Sequence, residues 1–285
     1  IRTTILYTFG EMKQLLNAKL ENISTDNLVR GFSIDSRTLK KGDLFFCIKG
    51  ENTNGHHYIS QSLEKGACGI VANPEFIPET LKTRDLPCML VLDPNKALLE
   101  WAADVRGKFN GKVLAITGSN GKTSTKDILA GLCRFIDPLS YSTPGNYNNL
   151  IGVPLTILSS VRESKWWVIE IGTNQFGEIA ELSKIVRPSA GIITNIGESH
   201  LEFLESTAGV AKEKSGLFAG MNPGSNVVIP DSLSHLDLVQ EAAAKAGVRI
   251  TKTAQISEKI QTGKNKFQLF EKEFETSIDS PLLRQ

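Results

Sequence analysis

Cysteine is scarce in this chain, with four residues among 285. Cys47, Cys68, Cys88 and Cys133 form no Cys-x-x-Cys pair, which argues against a zinc site and against a disulfide framework. Long apolar runs are also lacking, since no stretch approaches the ~20 residues that a membrane-spanning helix needs. The first residues do not show the charged and then apolar pattern of a secretion signal. We therefore expect a soluble protein of the reducing cytoplasm, without a membrane span.

Net charge is another quantity that the chain has little of, because 32 Lys and Arg residues face 31 Asp and Glu residues. A formal charge of +1 gives no overall attraction to nucleic acid or to an anionic membrane, so any anion must be bound at a local site. The hydrophobic content of 40% is ordinary for packed cores, and the length is sufficient for two domains. The composition therefore indicates a globular protein that does not bind nucleic acid.

A glycine-rich turn lies between a predicted strand and a predicted helix in the middle of the chain. The apolar residues 113–116 are typical of a buried parallel strand, and a helix is predicted from residue 123. Gly118 and Gly121 allow backbone conformations that turn N–H groups toward an anion at the start of this helix. Lys122 can reach terminal phosphates, and the Thr123 hydroxyl can bind Mg²⁺. We assign to ATP the run Gly118-Ser119-Asn120-Gly121-Lys122-Thr123-Ser124.

This turn departs from the usual P-loop pattern, because two residues rather than four separate Gly118 from Gly121. The alternative is a glycine-rich turn that binds no ligand, but glycine, lysine and threonine all stand where the chemistry needs them. A GTPase is disfavoured, since the sequence has no guanine-reading Asn-Lys-x-Asp.

The order of apolar segments predicts two α/β domains. Residues 1–93 alternate short strands and helices, and residues 94–109 have the apolar spacing of a connecting helix. The second domain, residues 94–285, is expected to hold a mostly parallel sheet with helices on both faces. After residue 248 the pattern changes to short alternating stretches, which we interpret as antiparallel strands at the edge of that sheet.

Polar residues follow several predicted strands of the second domain. Glu170 ends the apolar run that begins at Trp166, and His200 follows the strand predicted at residues 190–196. Ligands of open parallel sheets bind beyond the carboxyl ends of the strands, so both side chains are candidates for metal or phosphate binding. For Glu170 the alternative is an ion pair with a neighbouring lysine. The amide-rich residues 145–149 form either a substrate-binding loop or a capped turn.

Two polar groups of the first domain remain ambiguous. Asp35-Ser36-Arg37 follows a predicted strand and could bind a polar ligand, but a local ion pair between Asp35 and Arg37 explains the same residues. The adjacent His56 and His57 lie in a Gly- and Asn-rich loop without neighbouring Cys or carboxylate ligands, so we assign them no chemistry.

The motifs together resemble those of the Mur ligase family of peptidoglycan synthesis. They are the shortened phosphate loop, residues 145–149 with 152–156, Ile169-Glu170-Ile171-Gly172 with Gly177-Glu178-Ile179, and Ser199-His200-Leu201-Glu202 followed by Ala211-Lys212. They are most similar to the branch that adds D-alanyl-D-alanine to UDP-N-acetylmuramoyl-tripeptide. That resemblance implies an ATP-driven amide ligation that proceeds through an acyl phosphate.

The resemblance also implies a role for particular residues. Lys122 and Thr123 would contact ATP, with Thr123 and Glu170 at a first Mg²⁺ and His200 at a second. Lys212 would be the carbamylated lysine and a metal ligand, and it is grouped with Lys122 and His200 as catalytic. Asp35, Ser36 and Arg37 would hold the uridine end of the nucleotide substrate. The candidates for orienting its phosphate or acyl end are Asn146, Asn148 and Asn149.

Two departures from the family pattern shape the expectations. Ser215-Gly216 stands where relatives often carry Gly-Glu after the second lysine. The chain also ends at Gln285, where a third, Rossmann-like domain is expected to begin, so we expect a monomeric fragment of a longer ligase with weak turnover. The alternatives are another Mur-type ligase, a folylpolyglutamate synthetase-like ligase, and a non-catalytic nucleotide-binding module.

Overall fold

The computed structural model describes residues 7–50, 53–82, 85–199 and 201–254, and the backbone of three short strands within residues 262–275. The side chain of residue 201 and all side chains after Ala254 are outside the description. The predicted site residue His200 also lies outside the described residues.

The first α/β unit is built on a five-stranded sheet with the order β2-β7-β6-β5-β4, in which β4 to β7 are parallel and β2 is antiparallel. The short strands β1 and β3 form a separate antiparallel pair. The strands are β1 (Tyr7–Thr8), β2 (Lys19–Glu21), β3 (Leu28–Val29), β4 (Phe32–Ser33), β5 (Leu44–Phe46), β6 (Gly69–Ala72) and β7 (Cys88–Leu90). The helices are α1 (Phe9–Leu15), α2 (Ile59–Glu64), α3 (Glu79–Lys82) and α4 (Pro94–Gly107).

Local chemistry explains where two of these helices begin. Thr8 and Glu11 form a capping box at the start of α1, because each side chain accepts the backbone N–H of the other residue. Asp93 caps α4 by accepting the N–H groups of Asn95 and Lys96, and Pro94 occupies the first helical position, where no N–H is needed.

The second unit contains a six-stranded, wholly parallel sheet with the order β13-β12-β11-β8-β10-β9. Its strands are β8 (Lys112–Thr117), β9 (Tyr141–Ser142), β10 (Trp166–Glu170), β11 (Ala190–Ile193), β12 (Asn226–Ile229) and β13 (Arg249–Lys252). Its helices are α5 (Lys122–Ile136), α6 (Gly152–Leu158), α7 (Glu178–Val186), α8 (Leu201–Leu204), α9 (Thr207–Ser215) and α10 (Leu236–Ala246). Short 3₁₀ turns lie at Gly55–Tyr58, Pro74–Phe76 and Gly216–Gly220.

Helices cover both faces of this sheet, which confirms the predicted fold class. Ala130 and Cys133 of α5 pack against Ile116 and Val168 on one face. The opposite face belongs to a larger core that includes residues of α4, α6, α7, α9 and α10. A buried strand must be covered on both faces, so the continuous apolar runs of β8 and β10 follow directly from this architecture.

The strands after residue 248 differ from the prediction. Arg249–Lys252 is a parallel strand, since it pairs with β12 as the last member of the main sheet. The antiparallel strands are β14 (Thr262–Gly263), β15 (Lys266–Leu269) and β16 (Lys272–Glu275), which form their own three-stranded sheet. The α10 crossover places β13 parallel to β12, a pairing that the alternating residue pattern cannot reveal.

Helix α4 joins the two units through one buried core. Its Trp101 stacks on Phe46 of the first sheet with ring centroids 5.6 Å apart, and it meets Tyr7 and Phe32 edge-on. The same cluster of buried residues continues into the second sheet. The domain limits at residues 93 and 94 stay a prediction. Among the described residues, no helix is long and apolar enough to cross a membrane.

Candidate active site at the carboxyl ends of the central strands

Three neighbouring strands, β10, β8 and β11, end at the edge of the main sheet where the phosphate loop and Glu170 lie. In the parallel register, Glu170 at the end of β10 lies beside Ile116, and Ile193 at the end of β11 lies beside Thr117. The phosphate loop therefore starts between the ends of β10 and β11. This is the position at which open parallel sheets bind ligands.

Two glycines give the phosphate loop its shape. Gly118 has φ +146°, and a Cβ atom there would lie 2.0 Å from Thr194 Oγ1. Gly121 adopts the left-handed conformation with φ +77° and caps α5. Among the described residues, no side chain caps the N-terminus of α5, so its first N–H groups are available to an anion at the positive end of the helix dipole.

The segment after β11 supports the phosphate loop through hydrogen bonds. Asn195 accepts two backbone N–H groups, that of Ser119 on its carbonyl at 3.1 Å and that of Asn120 on its side-chain oxygen at 2.8 Å. The Thr194 hydroxyl donates to the Asn120 carbonyl at 2.5 Å. The amides of Ser119 and Asn120, assigned to ATP from the sequence, are thus engaged within the protein. Phosphate contacts are expected instead at the first turn of α5, which contains Ser124.

Lys122 and Thr123 have different hydrogen-bond partners at this turn. Lys122 Nζ donates to the carbonyls of Gly118 at 2.8 Å and Ser119 at 3.0 Å, which holds its charge over the loop. Burial lowers the pKa of Lys122, and the charge of Glu170 partly opposes that shift. Thr123 Oγ1 donates to Glu170 Oε2 at 2.9 Å, so the two predicted metal-binding groups are in direct contact.

The amide-rich loop supports the other oxygen of Glu170. Asn148 Nδ2 donates to Glu170 Oε1 at 2.6 Å, and the Glu170 residue is 1% exposed. Asn149 has a structural role, because its side-chain oxygen accepts the N–H groups of Ile151 and Gly152 at the start of α6. Asn146 is exposed at the tip of the loop.

Lys212 does not point into the site, so the sequence prediction for this residue needs correction. It is exposed on α9, and its charge acts on Glu241 of α10. Lys214 is the buried lysine of this helix, with 1% exposure. Burial and the nearby charge of Lys122 lower the pKa of Lys214 to about 8, although Glu213 acts in the opposite direction. Residues two positions apart on a helix point about 200° apart, so only one of these lysines can face the sheet.

Glu213, beside Lys214, was not identified from the sequence. Its carboxylate accepts the N–H of Gly177 at 2.6 Å and that of Ile179 at 2.9 Å, at the start of α7. The bonds fix α9 against the segment that follows β10. A charged residue between two lysines gave no distinguishing pattern in the sequence, because its burial depends on the packing of α7.

The predicted site residues of the first unit form hydrogen bonds with other side chains of that unit. Arg37 donates through Nε and Nη2 to the carboxylate of Asp35, and this hydrogen bond lowers the pKa of Asp35. Ser36 Oγ donates to Gln61 Oε1 at 2.6 Å. This arrangement is the local ion pair that was the alternative interpretation. Binding of a uridine group by the three residues stays a prediction.

The histidine pair is consistent with a structural role. His56 is buried, its Nδ1 lies 2.7 Å from Asn54 Oδ1, and its Nε2 accepts the N–H of Asn73 at 3.0 Å. Burial lowers the pKa of His56, which favours its neutral form. In the part of the chain that the structure describes, no three His, Cys, Asp or Glu side chains form a cluster that could bind a metal.

Comparison with known proteins shows two matching domain families. Residues 116–282 match the Mur ligase middle domain, and residues 28–106 match the catalytic domain of the Mur ligase family. The UDP-N-acetylmuramoyl-tripeptide–D-alanyl-D-alanine ligase of Haemophilus influenzae is 34% identical over 245 residues, which are 84% of this chain and 52% of that protein. The ligase of the same name from Escherichia coli is 37% identical over 79% of this chain and 48% of its own length.

Solved structures agree with these matches. A crystal structure of MurF from Acinetobacter baumannii has a TM-score of 0.79 at 26% identity, over 93% of this chain and 58% of that one. MurF from Thermotoga maritima, in complex with ADP, has a TM-score of 0.68 at 26% identity, over 86% and 57% of the two chains. The chain spans about half the length of the curated relatives that it matches. On these matches and on its fold, the chain belongs to the Mur ligase family.

Proposed function

We propose that this chain contributes to an ATP-dependent ligase that joins D-alanyl-D-alanine to UDP-N-acetylmuramoyl-tripeptide. The observation that supports the proposal is the contact of Thr123 with Glu170 next to the loop that Lys122 closes, in a chain whose relatives bear the name of that ligase. A cytoplasmic location and a monomeric state stay predictions from the sequence.

The residues present fit ATP and Mg²⁺. The first N–H groups of α5 and the Lys122 ammonium would bind the phosphates. The Thr123 hydroxyl and the Glu170 carboxylate offer adjacent oxygen ligands, the type that Mg²⁺ prefers. Bound Mg²⁺ would neutralise negative charge on the phosphates. A second metal at His200 stays a prediction.

The proposed reaction has two steps. A carboxylate oxygen of the tripeptide attacks the γ-phosphorus of ATP, which releases ADP and forms an acyl phosphate. The amine of D-alanyl-D-alanine then attacks the acyl carbon, loses a proton, and displaces inorganic phosphate. Because the substrate carboxylate must approach the anionic triphosphate of ATP, Lys122 would contribute by holding positive charge at the phosphates. Asn148 would keep Glu170 oriented, and Asn146 would be free to contact the nucleotide substrate.

Lys214 is proposed for the carbamate role that the sequence suggested for Lys212. A lysine reacts with carbon dioxide only as the neutral amine, forming a carbamate anion and releasing a proton. Its pKa of about 8 gives Lys214 a larger neutral fraction near neutral pH than an ordinary lysine has, and the charge of Lys122 would favour the resulting anion. Lys212 is exposed on the same helix.

The proposal is tested by comparing Lys122→Ala with Lys112→Ala. Lys112 is an exposed lysine at the start of β8, the strand that leads into the phosphate loop. The Lys122 variant should lose binding of Mg-ATP in calorimetric titration and phosphate release dependent on UDP-N-acetylmuramoyl-tripeptide, with an unchanged circular dichroism spectrum. The Lys112 variant should retain both. Equal phosphate release by the two variants would contradict the assignment, and ATP binding without substrate-dependent release would indicate a non-catalytic nucleotide-binding module.

A further inference from the structure

A buried lysine, Lys126, lies one turn beyond the phosphate loop on α5. Its side chain is 3% exposed, and Nζ donates to the carbonyls of Thr143 at 3.0 Å and Gly145 at 3.1 Å. The carboxylate of Asp127, which is 65% exposed, lies 3.2 Å away. The three donors of the ammonium therefore all have an oxygen within reach, as a buried charge requires.

The two carbonyls belong to residues 143–149, which we call the amide loop. Both ends of this loop are tied to Glu170 and its strand. Thr143 Oγ1 accepts the N–H of Glu170 at 2.9 Å, and the carbonyl of Asn148 accepts the N–H of Gly172 at 2.7 Å. Asn148 also donates to the Glu170 carboxylate. Lys126 of α5 binds the first residues of this loop through the carbonyls of Thr143 and Gly145. The same helix contacts Glu170 through Thr123.

Filling the volume at this position would not by itself require an ammonium. Desolvating a lysine is costly, and an apolar side chain of similar length, such as methionine, fills a comparable volume without that cost. The ammonium also satisfies carbonyls of a loop with few apolar anchors, in which Pro144, Gly145, Asn146 and Tyr147 are all exposed. The hydrogen bonds that offset the cost of burying the Lys126 ammonium therefore form only in this conformation of the amide loop.

We propose that Lys126 is a positioning residue that holds the amide loop in the conformation needed to bind the nucleotide-linked peptide substrate. It acts through the carbonyls of Thr143 and Gly145, without contact with ATP. The identity of the substrate rests on the proposed function, whereas the effect of Lys126 on the loop rests on its two hydrogen bonds. Loss of the ammonium should loosen the loop and weaken substrate binding, while the phosphate loop remains intact.

The experiment compares Lys126→Met with three other variants of the same chain. Lys126→Arg keeps a cationic donor, Asp127→Asn removes the exposed carboxylate, and Ser140→Ala removes a buried hydroxyl that donates to the Cys133 carbonyl at 3.1 Å. Ser140→Ala serves as a control for general destabilisation beside the loop. Hydrogen–deuterium exchange is followed in peptides that cover residues 141–150 and 166–173. The KM values for UDP-N-acetylmuramoyl-tripeptide and for ATP are measured separately.

Lys126→Met should raise exchange in both peptides at least tenfold and raise KM for the nucleotide-linked peptide at least tenfold, with KM for ATP within twofold. Lys126→Arg should restore part of both effects, and Asp127→Asn should match the unaltered chain. Changes no larger than those of Ser140→Ala, or equal changes in both KM values, would overturn the inference.

If Lys126→Met does not fold, Lys126→Gln provides a milder loss of donors and is judged by the same thresholds. Absence of ligase turnover in the unaltered chain would count against the proposed function. The inference would then be decided by exchange and by calorimetric binding of the UDP-linked peptide, and unchanged exchange in the Lys126 variants would overturn it.

Discussion

At the scale of single residues, burial separates side chains that look equivalent in the sequence. Lys212 and Lys214 are two positions apart on α9, yet one is exposed and the other is 1% exposed beside Lys122. Removal from water and a like charge both disfavour the ammonium of Lys214. The pKa of Lys214 is therefore lowered to about 8, which favours amine chemistry near neutral pH.

The lysine assignment predicts opposite results for two alanine variants. Lys214→Ala should reduce ligase turnover by about 100-fold, the scale expected when a charged group is removed from a transition-state site. A short carboxylic acid added to the assay should restore part of the turnover, because it replaces the missing anion. Lys212→Ala should retain turnover within about twofold. The measurement is phosphate release with both substrates at saturation.

The opposite ranking of these two variants would return the role to Lys212. Failure of every carboxylic acid to rescue a folded Lys214→Ala protein would contradict the carbamate. Circular dichroism and the thermal midpoint establish that each variant is folded before turnover is compared.

Other residues of the site were predicted from the sequence to different extents. Lys122, Thr123 and Glu170 were identified, and they lie together, because the glycine turn and the strand end are local patterns. Thr194, Asn195 and Lys126 were missed, since their partners are 17 to 77 residues away in the chain. A polar side chain with a distant partner leaves no periodic pattern, so tertiary contacts alone reveal its role.

At the scale of secondary structure, two glycines in and before α5 differ in whether the backbone and its surroundings allow a side chain. Gly118, just before the helix, has positive φ, and a Cβ atom there would collide with Thr194. Gly131 lies in the helix interior, where a Cβ atom would meet nothing within 4 Å. Glycine in a helix interior loses more backbone entropy on folding than alanine does.

We therefore expect Gly131→Ala to stabilise the protein by about 1 kcal/mol in free energy of unfolding. Urea denaturation followed by circular dichroism measures this change. Gly118→Ala is the matched variant and should destabilise the protein and weaken ATP binding, because both its φ and its surroundings exclude a side chain. Stabilisation by Gly118→Ala, or a loss of stability in Gly131→Ala, would show that the backbone of α5 or of its loop is placed differently.

At the scale of the whole molecule, α4 connects the two α/β units. Trp101 is 2% exposed and packs against aromatic rings of the first unit, while Arg106 donates to the carbonyls of Val186 and Arg187 in the second. Burial and the neighbouring Arg187 lower the pKa of Arg106 to about 10, which still leaves it charged at neutral pH. One helix thus contributes both an apolar and a polar contact between the units.

This packing predicts that Trp101→Ala lowers the free energy of unfolding by about 3–5 kcal/mol, the usual cost of truncating a buried large aromatic. Chemical denaturation provides the measurement. Leu92→Ala is the control, since Leu92 is 91% exposed and should change stability by less than about 0.5 kcal/mol. Trp101→Phe should cost less than alanine, because the indole N–H has no hydrogen-bond partner among the described residues. Equal stabilities of the Trp101→Ala and Leu92→Ala variants would show that α4 does not join the units.

The sequence alone determined the features that depend on neighbouring residues along the chain. These are the alternation of strands and helices, the glycine turn before α5, and the family to which the motifs belong. The tertiary structure decided which side chains face one another: Lys214 rather than Lys212 beside Lys122, Asn195 beneath the phosphate loop, and Lys126 under the amide loop. The physical reason is that backbone preference is local, whereas burial and electrostatic interaction depend on elements that are distant in sequence and adjacent only after folding.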